Sequence, residues 1–147
     1  MTIEYATEHL NVAAPPDSCI AVALDYPRYS DWAPDIKEST VLERDERGRA
    51  TTVSFRAAAM GRSATYVLAY VYSDDNHRIA WSLIEGDIMR ALDGTYVFES
   101  GADGTTDVTY HLSVELVVPI PGFVKRRAEG KIMGTALREL KHRVESL

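Results

Sequence analysis

Six strand-like segments in succession, followed by one long helical segment, limit the folds open to this chain more than any other feature of its sequence. Between Ser39 and Val118 apolar residues recur mostly at every second position, and short turns rich in Gly, Asp and Asn separate the segments. Such alternation is typical of strands that bury one face, and short turns make successive strands antiparallel neighbours. A curved antiparallel sheet of this kind can bury its concave face under the final helix, and this packing often leaves a hollow between them.

The alternating pattern predicts seven strands. They are expected at Ile3–Ala13, Ser39–Asp45, Thr51–Ala59, Ala64–Ser73, His77–Ile84, Ile88–Ser100 and Thr106–Val118. The segment Ala64–Ser73 is apolar on both faces, since Val67 and Val71 alternate with its inward positions. We therefore expect it to be central in the sheet or partly covered, and we interpret these two valines as a dimer face or as residues covered by a neighbouring element.

Proline positions and helical spacing predict three helices. One opens at Pro15-Pro16-Asp17, because proline is tolerated in a first helical turn, and Asp25-Tyr26-Pro27 stops it. A second, short helix is expected over Tyr29–Pro34. The last is expected over Phe123–Leu147. Its apolar stripe consists of Met133, Ala136, Leu137, Leu140, Val144 and Leu147. The order of elements defines an α+β fold.

Length and composition predict one globular domain over residues 1–147, with 46% hydrophobic and 26% charged residues. The single cysteine, Cys19, cannot form an internal disulfide and favours a reducing, cytoplasmic setting. The polar N-terminal residues lack the features of a signal peptide, and no apolar run approaches the length of a membrane span. A soluble, cytoplasmic protein is therefore the expectation.

The charge is unevenly distributed along the chain. The net charge of −6 argues against a nucleic-acid-binding protein. From Pro121 onward, however, seven Lys or Arg residues stand against three Glu residues, a net charge of +4. Either a basic helix lies on an acidic sheet, or a basic rim meets an anionic ligand, an acidic protein partner or a membrane surface.

Residue types with catalytic or metal-binding chemistry form no recognisable site in the sequence. The four histidines, His9, His77, His111 and His142, have no metal-ligand spacing, and no Cys-x-x-Cys or Gly-x-Ser-x-Gly motif is present. Cys19 is best interpreted as a small residue buried by packing. We therefore leave the catalytic residues unassigned, favour a protein that is not an enzyme, and predict no metal and no cofactor.

Several segments carry a resemblance to a known family. They are Ala14–Asp17, Asp25–Trp32 with its D-x-x-x-Y-x-x-W pattern, Ile79–Leu83, Gly94–Tyr96, Gly104–Tyr110 and Pro119–Phe123. On these residues the chain resembles the polyketide cyclase/dehydrase-like and lipid-transport-like members of the START-related, helix-grip (SRPBCC) superfamily. The resemblance implies a seven-stranded antiparallel sheet wrapped around the C-terminal helix, two short helices at one end, and a cavity for an apolar small molecule.

Inward-facing aromatic side chains are the strongest indication of such a cavity. Buried tyrosines must satisfy their hydroxyls within the protein or on a ligand, and a core that needs only apolar filling would use Leu. The candidate lining comprises Trp32, Phe55, Tyr66, Leu68, Tyr70, Trp81, Leu83, Tyr96, Tyr110, Met133 and Leu137. Arg62, Lys125, Arg126 and Arg127 are the candidates for the cavity mouth. The alternative is that these side chains simply build the core.

Three functions agree with this pattern. The first is a carrier or sequestering protein for a lipid, polyketide or quinone-type molecule, since an aromatic lining occurs without catalytic groups. The second is a polyketide cyclase/aromatase or dehydratase that uses the same cavity, with Tyr and Arg polarising carbonyl groups. The third is an interaction module that docks through the basic end of the last helix. The sequence leaves open whether the protein is a monomer or a dimer.

Overall fold

The computed structural model describes residues 4–59, 62–116 and 137–147, without the side chains of residues 4–6, 59, 62 and 116. Seven strands run over Glu4–Val12 (β1), Ile36–Arg44 (β2), Ala50–Ala59 (β3), Arg62–Tyr72 (β4), Arg78–Gly86 (β5), Met89–Ser100 (β6) and Thr106–Leu116 (β7). Helices cover Pro16–Leu24 (α1) and Tyr29–Trp32 (α2), and a third (α3) is described over residues 137–145. Single 3-10 turns lie at Tyr26–Arg28 and Ala102–Gly104.

The strands form one antiparallel sheet in the order β1-β7-β6-β5-β4-β3-β2. Successive strands from β2 to β7 are neighbours, as their short turns predicted. The first strand closes the order beside β7 because α1 and α2 carry the chain from one edge to the other. This sheet with its C-terminal helix is the predicted α+β helix-grip fold.

The observed elements begin and end within a few residues of the predicted ones. β2 begins at Ile36 rather than Ser39, since Ile36 pairs with Ala57 and extends the ladder. β4 begins at Arg62 rather than Ala64, opposite Ala59. The predicted strand end at Val118 and the first part of the predicted last helix lie outside the described residues.

Irregular pairing curves the sheet. The register shifts within the β2–β3 ladder, between Val67 and Leu68 on β4, and between Met89 and Ala91 on β6. An extra residue on one strand bends that strand and increases its twist. The β5–β6 ladder contains only four pairs, from Arg78–Val97 to Trp81–Gly94. The sheet therefore has a concave face that α1, α2 and α3 can cover.

The core lies between the concave face and the helices as one cluster of apolar side chains. α3 contributes Leu137, Leu140 and Val144, all buried as the predicted stripe requires, because they recur at helical spacing. Leu147 was predicted on the same stripe but is 79% exposed, because the helix ends before it. Two polar contacts fix this end of α3: the Glu145 carboxylate accepts from the Ala13 N–H at 2.8 Å, and Lys141 Nζ donates to the Asn11 carbonyl at 2.8 Å.

On the convex face, opposite the core, one side chain of β4 is more exposed than the prediction of a covering neighbour allows. β4 is flanked by β3 and β5 and is central, as its two apolar faces predicted. Val71 is nevertheless 69% exposed, so cover by a neighbouring element of the described chain is wrong at that position. Isolated apolar side chains on a surface are ordinary, because a folded protein has too little polar surface to cover itself.

Candidate ligand site on the concave face

Alternation along the central strands brings the predicted lining residues onto one buried face. Phe55, Tyr66, Leu68, Tyr70, Trp81, Tyr96 and Tyr110 are all at least nine-tenths buried and belong to the core cluster, as are Trp32 on α2 and Leu137 on α3. Leu83 is half-buried and packs against the same cluster. Met133, Lys125, Arg126 and Arg127, and the side chain of Arg62, lie outside the described residues.

Four aromatic rings form the middle of this face. The indole of Trp81 on β5 has its centroid 5.2 Å from that of Tyr96, 5.7 Å from that of Tyr110 and 5.9 Å from that of Tyr70. Tyr96 and Tyr110 are a direct cross-strand pair, and their rings meet edge to face at 4.7 Å. Edge-to-face geometry suits the charge distribution of aromatic rings and favours a fixed arrangement.

A second group of rings lies where the two short helices meet the sheet. The ring centroids of Tyr26 and Tyr70 are 4.6 Å apart, and those of Tyr29 and Phe55 are 6.1 Å apart. Trp32 packs on Tyr29 with ring centroids 4.9 Å apart. Trp32 also borders an open surface groove of about 270 Å³, beside Arg28 and Arg143.

Tyr26, Tyr29 and Tyr72 were not among the predicted lining residues. Tyr26 and Tyr29 lie in a 3-10 turn and a four-residue helix, where no periodicity reports which side is buried. Tyr72 continues the alternation of Tyr66, Leu68 and Tyr70 along β4, so the period-two pattern would have found it.

We call Tyr26, Tyr29 and Tyr72 the end cluster. Their hydroxyls form hydrogen bonds within the protein. The Tyr72 hydroxyl donates to the Ala50 carbonyl at 2.5 Å and lies 2.9 Å from the Tyr26 hydroxyl. The Tyr29 hydroxyl donates to the Ala23 carbonyl. The Arg49 guanidinium stands 5.1 Å from the centre of the Tyr72 ring and pairs with Asp45 at 2.8 Å. The Tyr26–Tyr72 contact ties the 3-10 turn to β4, and the Tyr29–Ala23 bond ties α2 to α1.

We call Tyr66, Tyr70, Tyr96 and Tyr110 the central cluster. The hydrogen bonding of their hydroxyls differs from that in the end cluster. The four residues are only 7–9% exposed, yet within the described residues no hydrogen bond reaches any of the four hydroxyls. A buried hydroxyl without a partner costs free energy, and native cores seldom contain several. The central cluster therefore offers four hydrogen-bonding groups that the described protein does not use.

Burial keeps these phenols neutral. Burial raises the pKa of Tyr66, Tyr70, Tyr96 and Tyr110, and the negative charge of Asp35 raises that of Tyr66 further. A phenol whose pKa exceeds its ordinary value of 10 stays protonated at neutral pH and can donate a hydrogen bond. Each of the four can also accept one through its oxygen.

Charged side chains are absent from the buried part of the described chain. Apart from the tyrosines and Cys19, Thr106 is the only buried residue with a polar side chain among the described ones, and its hydroxyl donates to the Ala14 carbonyl at 2.7 Å. The Cys19 thiol is fully buried, and burial raises its pKa, which makes it less reactive.

Histidines stand apart from the aromatic face. His9 and His111 bond the hydroxyls of Thr109 and Thr7 at 3.0 and 2.9 Å, between β1 and β7. No group of three or more potential metal ligands occurs in the described ranges.

Among the helices described here, none is long and apolar enough to span a membrane.

Solved structures share this architecture over nearly the whole chain. A START superfamily protein from Mycobacterium smegmatis superimposes with a TM-score of 0.90 at 24% identity, covering 97% of each chain. The Zhui aromatase/cyclase from a Streptomyces species gives 0.84 at 16% identity, over 98% of this chain and 94% of the other. A STAR-related lipid transfer protein from Xanthomonas axonopodis gives a TM-score of 0.72 at 18% identity, covering 96% of this chain and 85% of the other. At such identities the likeness establishes the fold.

Comparison with curated proteins gave no match. A family model described as polyketide cyclase/dehydrase and lipid transport matches residues 12–141, which include six of the seven strands entirely and most of the described α3. Polyketides and lipids are largely apolar, and the buried aromatic face agrees with ligands of that kind. The chain therefore belongs to the polyketide cyclase/dehydrase and lipid transport family, an SRPBCC family of hydrophobic-ligand-binding proteins.

Proposed function

We propose that this protein carries or sequesters one uncharged small molecule with an apolar body and oxygen substituents, of the polyketide, quinone or lipid type. The ligand occupies a hollow between the concave face and the C-terminal helix. The observation that carries the proposal is the central cluster, in which four buried hydroxyls have no partner in the described chain. A ligand's oxygen atoms would supply the missing partners.

Residual exposure supports a hollow at the central cluster. Tyr96 and Phe98 lie on the same face of β6, yet Tyr96 is 9% exposed and Phe98 is 0% exposed. The same contrast holds on β5 between Trp81 at 8% and Ile79 at 1%. A side chain on a buried face keeps accessible surface when it borders a space that admits a water-sized sphere. Trp81 and Tyr96 keep accessible surface of this kind, whereas Ile79 and Phe98 on the same strands are fully packed.

The chemistry of the lining favours an uncharged ligand. No charged side chain of the described residues is buried, so a ligand carboxylate in the hollow would lose its hydration without gaining a counter-ion from the described part of the chain. Neutral phenols can bond carbonyl, hydroxyl or ether oxygens, and the flat rings suit a flat or extended apolar body.

The same chemistry favours carriage over catalysis. General base catalysis requires a group that takes up a proton near neutral pH, whereas the phenols of the central cluster hold their protons. The described histidines bond threonines between β1 and β7 or lie on the surface, outside the aromatic face.

A polyketide cyclase or dehydratase is the second candidate. Neutral phenols aimed at a carbonyl oxygen can stabilise negative charge as it develops there. A Tyr66→Phe or Tyr96→Phe variant should then slow cyclisation of a poly-keto substrate while substrate binding is kept. Unchanged turnover in both variants would exclude this mechanism.

The predicted interaction module depends on Lys125, Arg126 and Arg127, and the predicted cavity mouth also includes Arg62. These side chains lie outside the described residues, so both remain predictions. Reversing the three charges should abolish salt-sensitive binding to an acidic partner or membrane if the module exists. Cytoplasmic location, a single domain and the choice between monomer and dimer likewise remain predictions.

A matched pair of probes tests the main proposal. 2-Naphthalenemethanol and 2-naphthoate share one apolar body, but only the second is ionised at pH 7. Equilibrium dialysis should show that the alcohol binds about tenfold or more tightly, because the carboxylate must be desolvated without a counter-ion. Equal or tighter binding of the carboxylate would contradict an uncharged lining, and binding of neither would contradict a hydrophobic binder.

Variants locate the binding of the alcohol. Tyr96→Phe should weaken it about fivefold to tenfold, since one hydrogen bond to the ligand is lost. Tyr72→Phe is the matched control, because the Tyr72 hydroxyl is bonded to Ala50 and Tyr26. Native mass spectrometry of protein purified gently from its own host would then identify the natural ligand.

A further inference from the structure

Gly94 on β6 lies under the indole of Trp81. The two residues are direct partners in the β5–β6 ladder, and both are buried. A β-carbon at position 94 would lie 2.2 Å from Cζ2, 2.3 Å from Cε2 and 2.6 Å from Nε1 of Trp81. These distances are far below van der Waals contact, so the indole rests directly on the backbone of residue 94. Any side chain there would displace the indole.

The surroundings of Trp81 restrict where a displaced indole can go. Rings of Tyr70, Tyr96 and Tyr110, from three different strands, stand within 6 Å of its centre. The backbone of β6 blocks movement towards the sheet. The remaining direction leads away from the sheet, on the side of the concave face.

The β5–β6 ladder also ends at this pair. In the described chain β5 and β6 pair from Arg78–Val97 to Trp81–Gly94 and no further, although β5 continues to Gly86 and β6 begins at Met89. The Trp81–Gly94 contact therefore lies where the two strands part. The indole at this point lies among the rings of Tyr70, Tyr96 and Tyr110 of the central cluster.

We propose that Gly94 is a specificity-determining residue, which sets the depth of the hollow by letting the Trp81 indole rest directly on the backbone of β6. This inference rests on the proposed function, because depth matters only if a ligand occupies the hollow. With glycine at position 94 the hollow is deep enough for a multi-ring or long-chain body. With a larger residue the indole would occupy part of that depth, and only smaller ligands would fit.

A series of alcohols that differ only in ring number tests the depth. Benzyl alcohol, 2-naphthalenemethanol and 2-anthracenemethanol present one, two and three fused rings with the same hydroxymethyl group. In the wild-type protein, equilibrium dialysis should show affinity rising with ring number. In Gly94→Ala the one-ring alcohol should bind nearly as in wild type, while the three-ring alcohol should lose about tenfold or more, as overfilled sites do.

Two further variants separate depth from general damage. Gly101→Ala is the control, because its β-carbon would meet Thr105 Oγ1 at 2.5 Å in the β6–β7 turn, beside Asn11 and Asp107 rather than the aromatic rings. It should leave the order of affinities unchanged. Trp81→Phe in the Gly94→Ala background should restore binding of the three-ring alcohol, because the smaller ring leaves room for the added methyl group. A uniform loss across the series in Gly94→Ala, or no restoration by Trp81→Phe, would overturn the proposal.

Unfolding measurements keep this inference distinct from the proposed function. The two substitutions should couple in a double-mutant cycle, with Gly94→Ala reducing the folding equilibrium constant about tenfold or more only when Trp81 is present. If the wild-type protein binds none of the three alcohols, the proposed function fails and the depth proposal fails with it, even where this coupling is found. If the alcohols bind but the two residues do not couple, the depth proposal alone is overturned.

Discussion

Tyr70 and Tyr72 lie two residues apart on the same face of β4, yet the protein uses them differently. The Tyr72 hydroxyl donates to the Ala50 carbonyl and meets the Tyr26 hydroxyl, whereas no hydrogen bond to another described residue involves the Tyr70 hydroxyl. Their ring centres are 6.3 Å apart. The end cluster reaches backbone carbonyls and another hydroxyl, whereas the described contacts of the central tyrosines are with rings and other apolar side chains. Position relative to the short helices, rather than residue type, decides whether a phenol bonds a neighbouring element of the described chain.

The largest expected difference between the clusters comes from removing a whole ring. Tyr26 is 1% exposed and contacts the rings of Tyr29, Phe55 and Tyr70. Tyr26→Ala should lower the free energy of unfolding by about 3–5 kcal/mol, as for other buried aromatic residues. Tyr96→Ala should cost clearly less, because one side of that ring borders the proposed hollow. Urea denaturation measures both, and equal losses would indicate that the central cluster is packed as tightly as the end cluster.

Removing single hydroxyls should also destabilise the end cluster more than the central cluster, but the difference in free energy of unfolding should be smaller. Tyr72→Phe leaves the buried Ala50 carbonyl and the Tyr26 hydroxyl without their partner, so it should cost about 1–2 kcal/mol. Tyr70→Phe should change stability by less than about 0.5 kcal/mol, or raise it, because it removes a buried hydroxyl that has no partner in the described chain. A destabilising Tyr70→Phe would show that the Tyr70 hydroxyl is bonded within the protein.

Alkaline pH should destabilise the protein through both clusters. Burial raises the pKa of Tyr72 to about 12, while an unfolded tyrosine titrates near 10.0. The stabilisation from the protonated phenol is therefore complete below pH 10 and is lost as the pH rises from 10 towards 12, because the unfolded chain releases its proton first. Denaturation at several pH values should show this fall, and Tyr72→Phe should make it shallower. An equally steep fall in the variant would remove Tyr72 as a cause.

The smallest effect is expected at the end of α3, outside both clusters. The Ala13 N–H and then Lys141 lower the pKa of Glu145, so its contribution to stability is present above its ordinary pKa of 4.5 and is lost as pH falls through the lowered value. Glu145→Gln should lower the melting temperature slightly at pH 7 and leave probe binding unchanged. A large change in binding would show that the α3 anchor affects the central cluster.

Local patterns in the sequence predicted most of the fold and much of the candidate site. Alternation along β3 to β7 identified which side chains share the concave face, because successive side chains of a strand point to opposite faces. Helical spacing likewise placed Leu137, Leu140 and Val144 in the core. Tyr26 and Tyr29 escaped this reasoning because a 3-10 turn and a single helical turn are too short to show a period.

The sequence by itself determined the strands, their inward faces and the aromatic composition of the buried surface, because each depends on residues near one another in the chain. Only the tertiary structure decided which hydroxyls are bonded and where the central rings rest. Tyr26 meets Tyr72 across 46 residues, and Trp81 lies on Gly94 through the β5–β6 register. Such contacts arise from strand pairing and from where the short helices lie, and residue identity does not specify them.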